Sequence, residues 1–106
     1  MEDTRFIITL LIFVEEGEED TFNEYEGKVL PILPRHNGKL LYRVRPCENS
    51  YLTYEEEKPY EIHLISFASK ADFEQYRKDE ERLSYSPMFS RSVKKIILIE
   101  GTIPLS

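Results

Sequence analysis

Apolar and polar positions along this chain switch period four times, and each switch predicts a change of element. Phe6 to Val14 (FIITLLIFV) is short, unbroken and rich in β-branched and aromatic residues, which predicts a buried strand. Phe6, Ile8, Leu10, Ile12 and Val14 fall on one side and Ile7, Thr9, Leu11 and Phe13 on the other, so both faces are apolar. Phe22, Tyr25, Val29 and Ile32 then recur at helical spacing behind Glu18-Glu19-Asp20, acids that suit the positive end of a helix dipole. Pro31 should kink or shorten this helix, and Pro34 with Asn37-Gly38 should end it. Lys39 to Arg45 alternates again, with Leu40, Tyr42 and Val44 facing one way and Leu41, Arg43 and Arg45 the other. A polar, acidic loop over 46–59 follows, and Pro59 is placed to open the next strand.

Tyr60 to Phe67 (YEIHLISF) is a third strand, with Tyr60, Ile62 and Leu64 on one face and Glu61, His63, Ile65 and Phe67 on the other. Ser69 and Asp72 resemble a capping box with a shortened acid, and Phe73, Tyr76 and Leu83 mark the buried side of a second helix. Ser84 to Phe89 is a linker with room for one helical turn, and Val93 to Ile99 is the fourth strand, closed by Gly101 and Pro104. The order β-α-β-β-α-β over 106 residues predicts a single α+β domain. Its most economical form is a ferredoxin-like sandwich: one four-stranded antiparallel sheet in the order 4-1-3-2, with both helices on one face. The helices can cover only one side, yet the first and fourth strands are apolar on both. A second subunit packed over the open sheet face answers that, giving a homodimer. The alternative is that the tail, Thr102 to Ser106, folds over the face instead.

Charge removes several classes of partner. The net charge is −6, and no Lys/Arg cluster overrides it, which argues against nucleic acid. The acidic runs Glu15-Glu16, Glu18-Glu19-Asp20 and Glu55-Glu56-Glu57 would repel an anionic membrane, and Phe6 to Val14 is too short to span one. The single cysteine, Cys47, forbids an internal disulfide, and Met1-Glu2-Asp3 lacks the basic start of a secretion signal, so a cytoplasmic location is expected.

The segment Pro59-Tyr60-Glu61-Ile62-His63-Leu64-Ile65-Ser66-Phe67, the stretch Asp72-Phe73-Glu74-Gln75-Tyr76-Arg77-Lys78-Asp79, Pro87 and the closing Glu100-Gly101 together carry a likeness. They resemble the dimeric α/β-barrel superfamily, and within it an uncharacterised branch of small proteins. The resemblance covers mainly residues 59–101; the first half agrees in element order. It implies ferredoxin-like subunits whose sheets pair into a barrel. The superfamily includes ring-cleavage isomerases, cofactor-free monooxygenases and haem-handling enzymes, so the fold does not fix the chemistry.

The strongest candidate chemistry is Glu61 with His63. Two residues apart on a strand, they share a face, and a carboxylate beside an imidazole fixes its tautomer and raises its basicity. Arg43 on the neighbouring strand can join them as a charge stabiliser, with His63 as acid/base and Glu61 as its orienting partner. The open sheet face is the expected location of all three; a polar rim or an interface salt-bridge set is the bland alternative. His36 is expected against helix-end carbonyls. With two histidines and one cysteine no metal-ligand spacing is visible, and no motif implies a cofactor. The seven tyrosines suit core or interface packing, with some able to line an aromatic pocket. Cys47 has no adjacent base and an acidic neighbour, which disfavours a nucleophile. The expectation is a small isomerase or cofactor-free oxygenase acting on a small organic substrate beside the sheet, or else a non-catalytic dimeric binding or structural module.

Overall fold

Four strands and their connecting helices follow the expected order in a computed structural model, which describes residues 4–104. Met1-Glu2-Asp3 and Leu105-Ser106 lie outside the described residues, and with them the expectation about the start of the chain and the last part of the tail. The strands are β1 (Thr4–Val14), β2 (Gly38–Val44), β3 (Glu61–Phe67) and β4 (Val93–Pro104). They form one antiparallel sheet in the order β2-β3-β1-β4, so β1 and β3 are central.

Helix α1 (Glu19–Val29) gives way at Leu30 to a 3-10 segment, Leu30–His36, with Pro31 in its first turn. A proline cannot continue the α-helical bonding but fits the start of a new turn, where its missing N–H costs nothing. Asn37, in the left-handed conformation at φ 56°, ends the segment, and its N–H returns to the carbonyls of Leu33 and Pro34. Gly38 follows because a side chain would not fit: a Cβ there would lie 2.7 Å from Phe67 Cε1 and 3.0 Å from the Leu33 carbonyl. After β3, Ser69 Oγ accepts the Asp72 N–H at 3.2 Å and donates to Asp72 Oδ2 at 2.9 Å, the cap expected for α2 (Lys70–Arg77). The second helical region is not one helix. Asp79 interrupts it and caps α3 (Glu80–Ser84), and Pro87 opens α4 (Ser86–Ser92). Leu83 therefore departs from the expected stripe and is 48% exposed, while Phe73 and Tyr76 are buried.

Sheet register sorts the side chains into two faces. On the helix side the cross-sheet rows are Arg43–His63–Leu10–Leu98 and Leu40–Ile65–Ile8–Glu100, and Glu61 stands beside Ile12 and Ile96. Ile8, Ile32, Leu33, Ile65, Phe67, Phe73 and Tyr76 make the core there. Each such aliphatic or aromatic side chain contributes about 1.5–3 kcal/mol on burial. On the other side the rows are Tyr42–Leu64–Thr9–Ile99 and Val44–Ile62–Leu11–Ile97. Tyr42, Val44, Ile97 and Ile99 are exposed.

Two expectations change here. Leu40 does not share a face with Tyr42 and Val44: the register slips between Leu40 and Tyr42, and a bulge at Leu41 carries Leu40 onto the core. Thr102, Ile103 and Pro104 do not fold over the open face but extend β4 along β1, opposite Phe6, Arg5 and Thr4. Part of that face is instead bordered by the loop before β3, where Tyr51 to Pro59 bound a hollow of about 360 Å³ with Phe13, Lys95 and Ile97. No helix among the described residues is long and apolar enough to cross a membrane.

Candidate functional site

Glu61 and His63 come together as their spacing implies, but on the helix-covered side of the sheet and not on the open face. The reason lies in α1. Its stripe of Phe22, Tyr25 and Val29 also contains Glu26, and the helix lays that stripe over the β3 residues. Glu61 is fully buried, His63 is 2% exposed and Glu26 4%. His63 Nε2 lies 2.5 Å from Glu61 Oε2 and 3.7 Å from Glu26 Oε1.

Two arginines from the β2 edge neutralise Glu61. Arg43 Nε donates to Oε2 at 3.0 Å, and Arg45 Nε donates to Oε1 at 2.8 Å. Arg45 is also fixed from behind, by Asn23 of α1 and by the Tyr60 ring 4.9 Å away. The arginine predicted to meet a ligand, Arg43, is thus committed to Glu61. Both arginines were in view at alternate positions of one strand, but only three-dimensional register assigns both to one carboxylate.

The two acids respond oppositely to burial. Burial alone would raise the Glu61 pKa, but hydrogen bonds from His63, Arg43 and Arg45 outweigh it and hold the group down at about 2. Glu26 has no such donors: burial pushes it up, the charge of His63 opposes only part of that, and it settles at about 7. Glu61 is therefore an anion at neutral pH and can only accept, so the His63 proton on this bond sits on Nε2. Glu26 gains and loses its proton near neutrality, beside that imidazole.

Glu26, Glu61 and His63 also bring three metal-ligating groups within 4.8 Å of one another, a cluster that spacing in the sequence did not reveal. Its chemistry favours a proton over a cation. Both Glu61 oxygens already accept from guanidinium groups, and His63 Nε2 donates into the same carboxylate. A metal ion would have to displace these and stand beside two fixed positive charges.

Glu26 and His63 open onto a cavity of about 210 Å³ between helices and sheet, walled mostly by apolar and aromatic side chains, among them Phe22, Phe73 and Phe89. Tyr25 and Tyr76 line it too, and burial raises both phenols, Tyr76 to about 12, so both are neutral, with the Tyr76 hydroxyl donating to the Val29 carbonyl at 3.4 Å. Glu26 was missed in the sequence, although a signal existed: it is the charged residue one place after Tyr25 and four after Phe22, inside an apolar stripe. His36 is not at helix-end carbonyls. It lies 2.7 Å from Asp79 Oδ2, edge-on to Tyr76, and Cys47 is exposed and remote.

Comparison with solved structures fits this architecture. The fold is ferredoxin-like. A protein of unknown function from Rhodopseudomonas palustris superposes with a TM-score of 0.79 at 15% identity, over 94% of this chain and 82% of that one. A DABB family protein with a ferredoxin-like fold from Mesorhizobium loti gives 0.70 at 15% identity, over 97% and 99%. A candidate antibiotic biosynthesis monooxygenase from Bacteroides thetaiotaomicron gives 0.66 at 19% identity, over 96% and 92%. No family model matches the chain, and no curated protein matches it in sequence. At these identities the likeness establishes the fold and leaves the chemistry to the residues.

Proposed function

We propose that this protein is a proton-transfer enzyme for a small organic substrate, working in the cavity between α1 and the sheet. The observation that carries the reading is Glu26: a carboxyl held at about 7, in contact range of His63, in an otherwise apolar chamber. An acid/base group works best with a pKa near the working pH. Glu26 takes a proton from a carbon next to a carbonyl, or from a phenol, leaving an enolate or phenolate. His63, its Nε2–H held on Glu61 and 3.7 Å from Glu26, supplies the polar neighbour beside the Glu26 carboxyl. Glu61 orients His63, and Arg43 and Arg45 keep Glu61 ionised, so these three are positioning residues.

Returning the proton at a different carbon makes the protein an isomerase. Trapping the same carbanion with dissolved dioxygen makes it a cofactor-free oxygenase, a branch supported by the sequence resemblance and by the description of the Bacteroides neighbour. The common first step is testable without the natural substrate. Aryl ketones incubated with the protein in deuterium oxide should exchange their α-protons, at a rate that rises with pH and levels off above about 7. Glu26→Gln should abolish the exchange, and His63→Gln should slow it about 100-fold. Exchange that persists in Glu26→Gln would remove the basis of the reading.

The molecule that performs this chemistry is proposed to be a cytoplasmic homodimer, its second copy packed over the rows that include Tyr42, Val44, Ile97 and Ile99. Their exposure as a contiguous apolar set supports this.

A further inference from the structure

We infer that Arg82 makes this cavity a receptor for organic anions: a flat, largely apolar molecule with one carboxylate, its charged end on Arg82 and the rest along the aromatic walls. The anion site stands on its own geometry; reaction of the ligand's far end at Glu26 rests on the proposed function.

Arg82, from α3, lines the cavity together with Tyr25 and Tyr76. Arg35, Arg43, Arg45, Arg77 and Arg91 each face a carboxylate. Among the described residues Arg82 faces none, and its Nε is buried without any hydrogen-bond partner. A guanidinium has five donors in a rigid fork that matches a carboxylate edge, and leaving a buried one unused is costly. The cavity's own acid does not serve it, because Glu26 pairs with His63 at the β3 side. Tyr25 and Tyr76 line the same cavity as Arg82 and Glu26.

The group is also held in place. Asp79 Oδ1 accepts the Arg82 backbone N–H at 3.0 Å, while the other Asp79 oxygen ties this corner to His36 and Arg35. Nη1 donates to the Arg77 carbonyl at 3.3 Å, and the guanidinium carbon lies 4.9 Å from the Tyr76 ring centroid. This leaves a cation with its chain fixed, one face on the Tyr76 ring and its Nε donor without a partner, which is the start of a pre-organised carboxylate contact.

Calorimetric titration of the full chain with benzoate, cinnamate and 2-naphthoate, each against its neutral primary amide, tests this. At least one carboxylate should bind about tenfold or more tightly than its amide. Arg82→Gln should erase that preference while amide affinity stays unchanged, which also reports an intact cavity. Arg91→Gln, outside the cavity, should leave the preference standing. Glu26→Gln should retain carboxylate binding, so loss of proton exchange and loss of anion binding are separable results. Equal affinity for acid and amide, no binding by any of the three carboxylates, or a preference that survives Arg82→Gln would each overturn the assignment.

Discussion

The two faces of the sheet are built from the same kinds of residue and have opposite fates. Towards the helices, Ile8, Ile12 and Ile65 are each 2% exposed and, of the large apolar side chains described there, only Leu98, on the edge strand β4, is open; on the other side Ile7 and Phe13 are buried, but Tyr42, Val44, Ile97 and Ile99 are 43% to 65% exposed. The covered face nevertheless holds the buried charges, Glu61, His63 and Glu26, while the two exposed rows are aliphatic and aromatic apart from Thr9. A buried charge survives only where partners are supplied or where it gives up its charge. Glu61 takes the first course and Glu26 the second. An apolar surface left in water, conversely, calls for a cover from outside the subunit. The difference therefore separates a face that buries and pairs its charges from one that leaves apolar side chains in water.

The sharpest way to break this contrast is to remove the anion at the centre of the covered face. Glu61→Gln leaves Arg43, Arg45 and His63 without their shared acceptor. Loss of one partner from a buried ionic set costs about 3 kcal/mol, moderated here because both arginines are partly solvated. Urea unfolding at pH 7 should register it. Glu61 has its folded pKa lowered from 4.5 to about 2, so its stabilising effect is complete above 4.5 and fades as pH falls towards 2. The gap between wild type and variant should close over that window. A loss below about 0.5 kcal/mol at pH 7 would mean that the ionic set is incidental to the fold.

Glu26 should behave in the reverse sense. Its folded pKa is raised from 4.5 to about 7, so the folded protein keeps a proton that the unfolded chain has released. Stability then falls as pH rises through that interval and stays lower above it. Glu26→Gln removes the penalty. It should stabilise the protein by roughly 2–3 kcal/mol at pH 8, with almost no effect at pH 4. Thermal unfolding across pH 4–8 checks the sign, and a variant less stable than wild type at pH 8 would refute the account of Glu26. Gain of stability with loss of proton exchange is the pattern expected of a group kept for function.

How much of this was legible beforehand follows from what each residue type encodes. Element order and strand pairing were readable, because strand and helix periods differ and Asn37-Gly38, Pro59 and Ser69 punctuate them. That Glu61 and His63 share a face also followed, since strand side chains repeat every two residues. Which face could not be read, because β1 is apolar on both sides and a helix could have covered either. The Leu41 bulge was hidden for a related reason: Leu40-Leu41-Tyr42 is apolar throughout, so a one-residue slip leaves no trace in the pattern. Glu26 lay in an apolar stripe and announced itself weakly. Its pairing with His63 joins elements almost forty residues apart, which no local spacing expresses.

Two glycines offer a smaller test of the contrast between faces. Gly38 points to the covered side, where a Cβ meets Phe67 and Leu33; Gly101, opposite Ile7 on the other side, has nothing within 4 Å. Gly38→Ala should cost about 1–3 kcal/mol, because the Phe67 ring is fully buried and the Leu33 contact is backbone. Gly101→Ala should be neutral or slightly stabilising within one subunit, as alanine orders the strand backbone more readily. Chemical denaturation of both variants side by side compares the two surfaces directly, and equal costs would mean that packing does not distinguish them.

The smallest effect on subunit stability should come from the open rows, and there the informative quantity is mass. Ile97→Lys with Ile99→Lys places two charges on the exposed side of β4, in line with Leu11 and Thr9 of β1. Exposed substitutions of this kind change the stability of a lone subunit by no more than about 0.5 kcal/mol. They would be severe at an apolar interface, where each ammonium must be stripped of water without a partner. Light scattering should therefore find two chains for the wild type at micromolar concentration and one for the double variant. The wild type's unfolding midpoint should rise with protein concentration, and the variant's should not. The covered face is untouched, so the double variant should still bind cinnamate if the cavity is complete within one subunit. A wild-type monomer would end the sheet-to-sheet proposal while leaving the chemistry of Glu26 and Arg82 intact, since each face has its own cause.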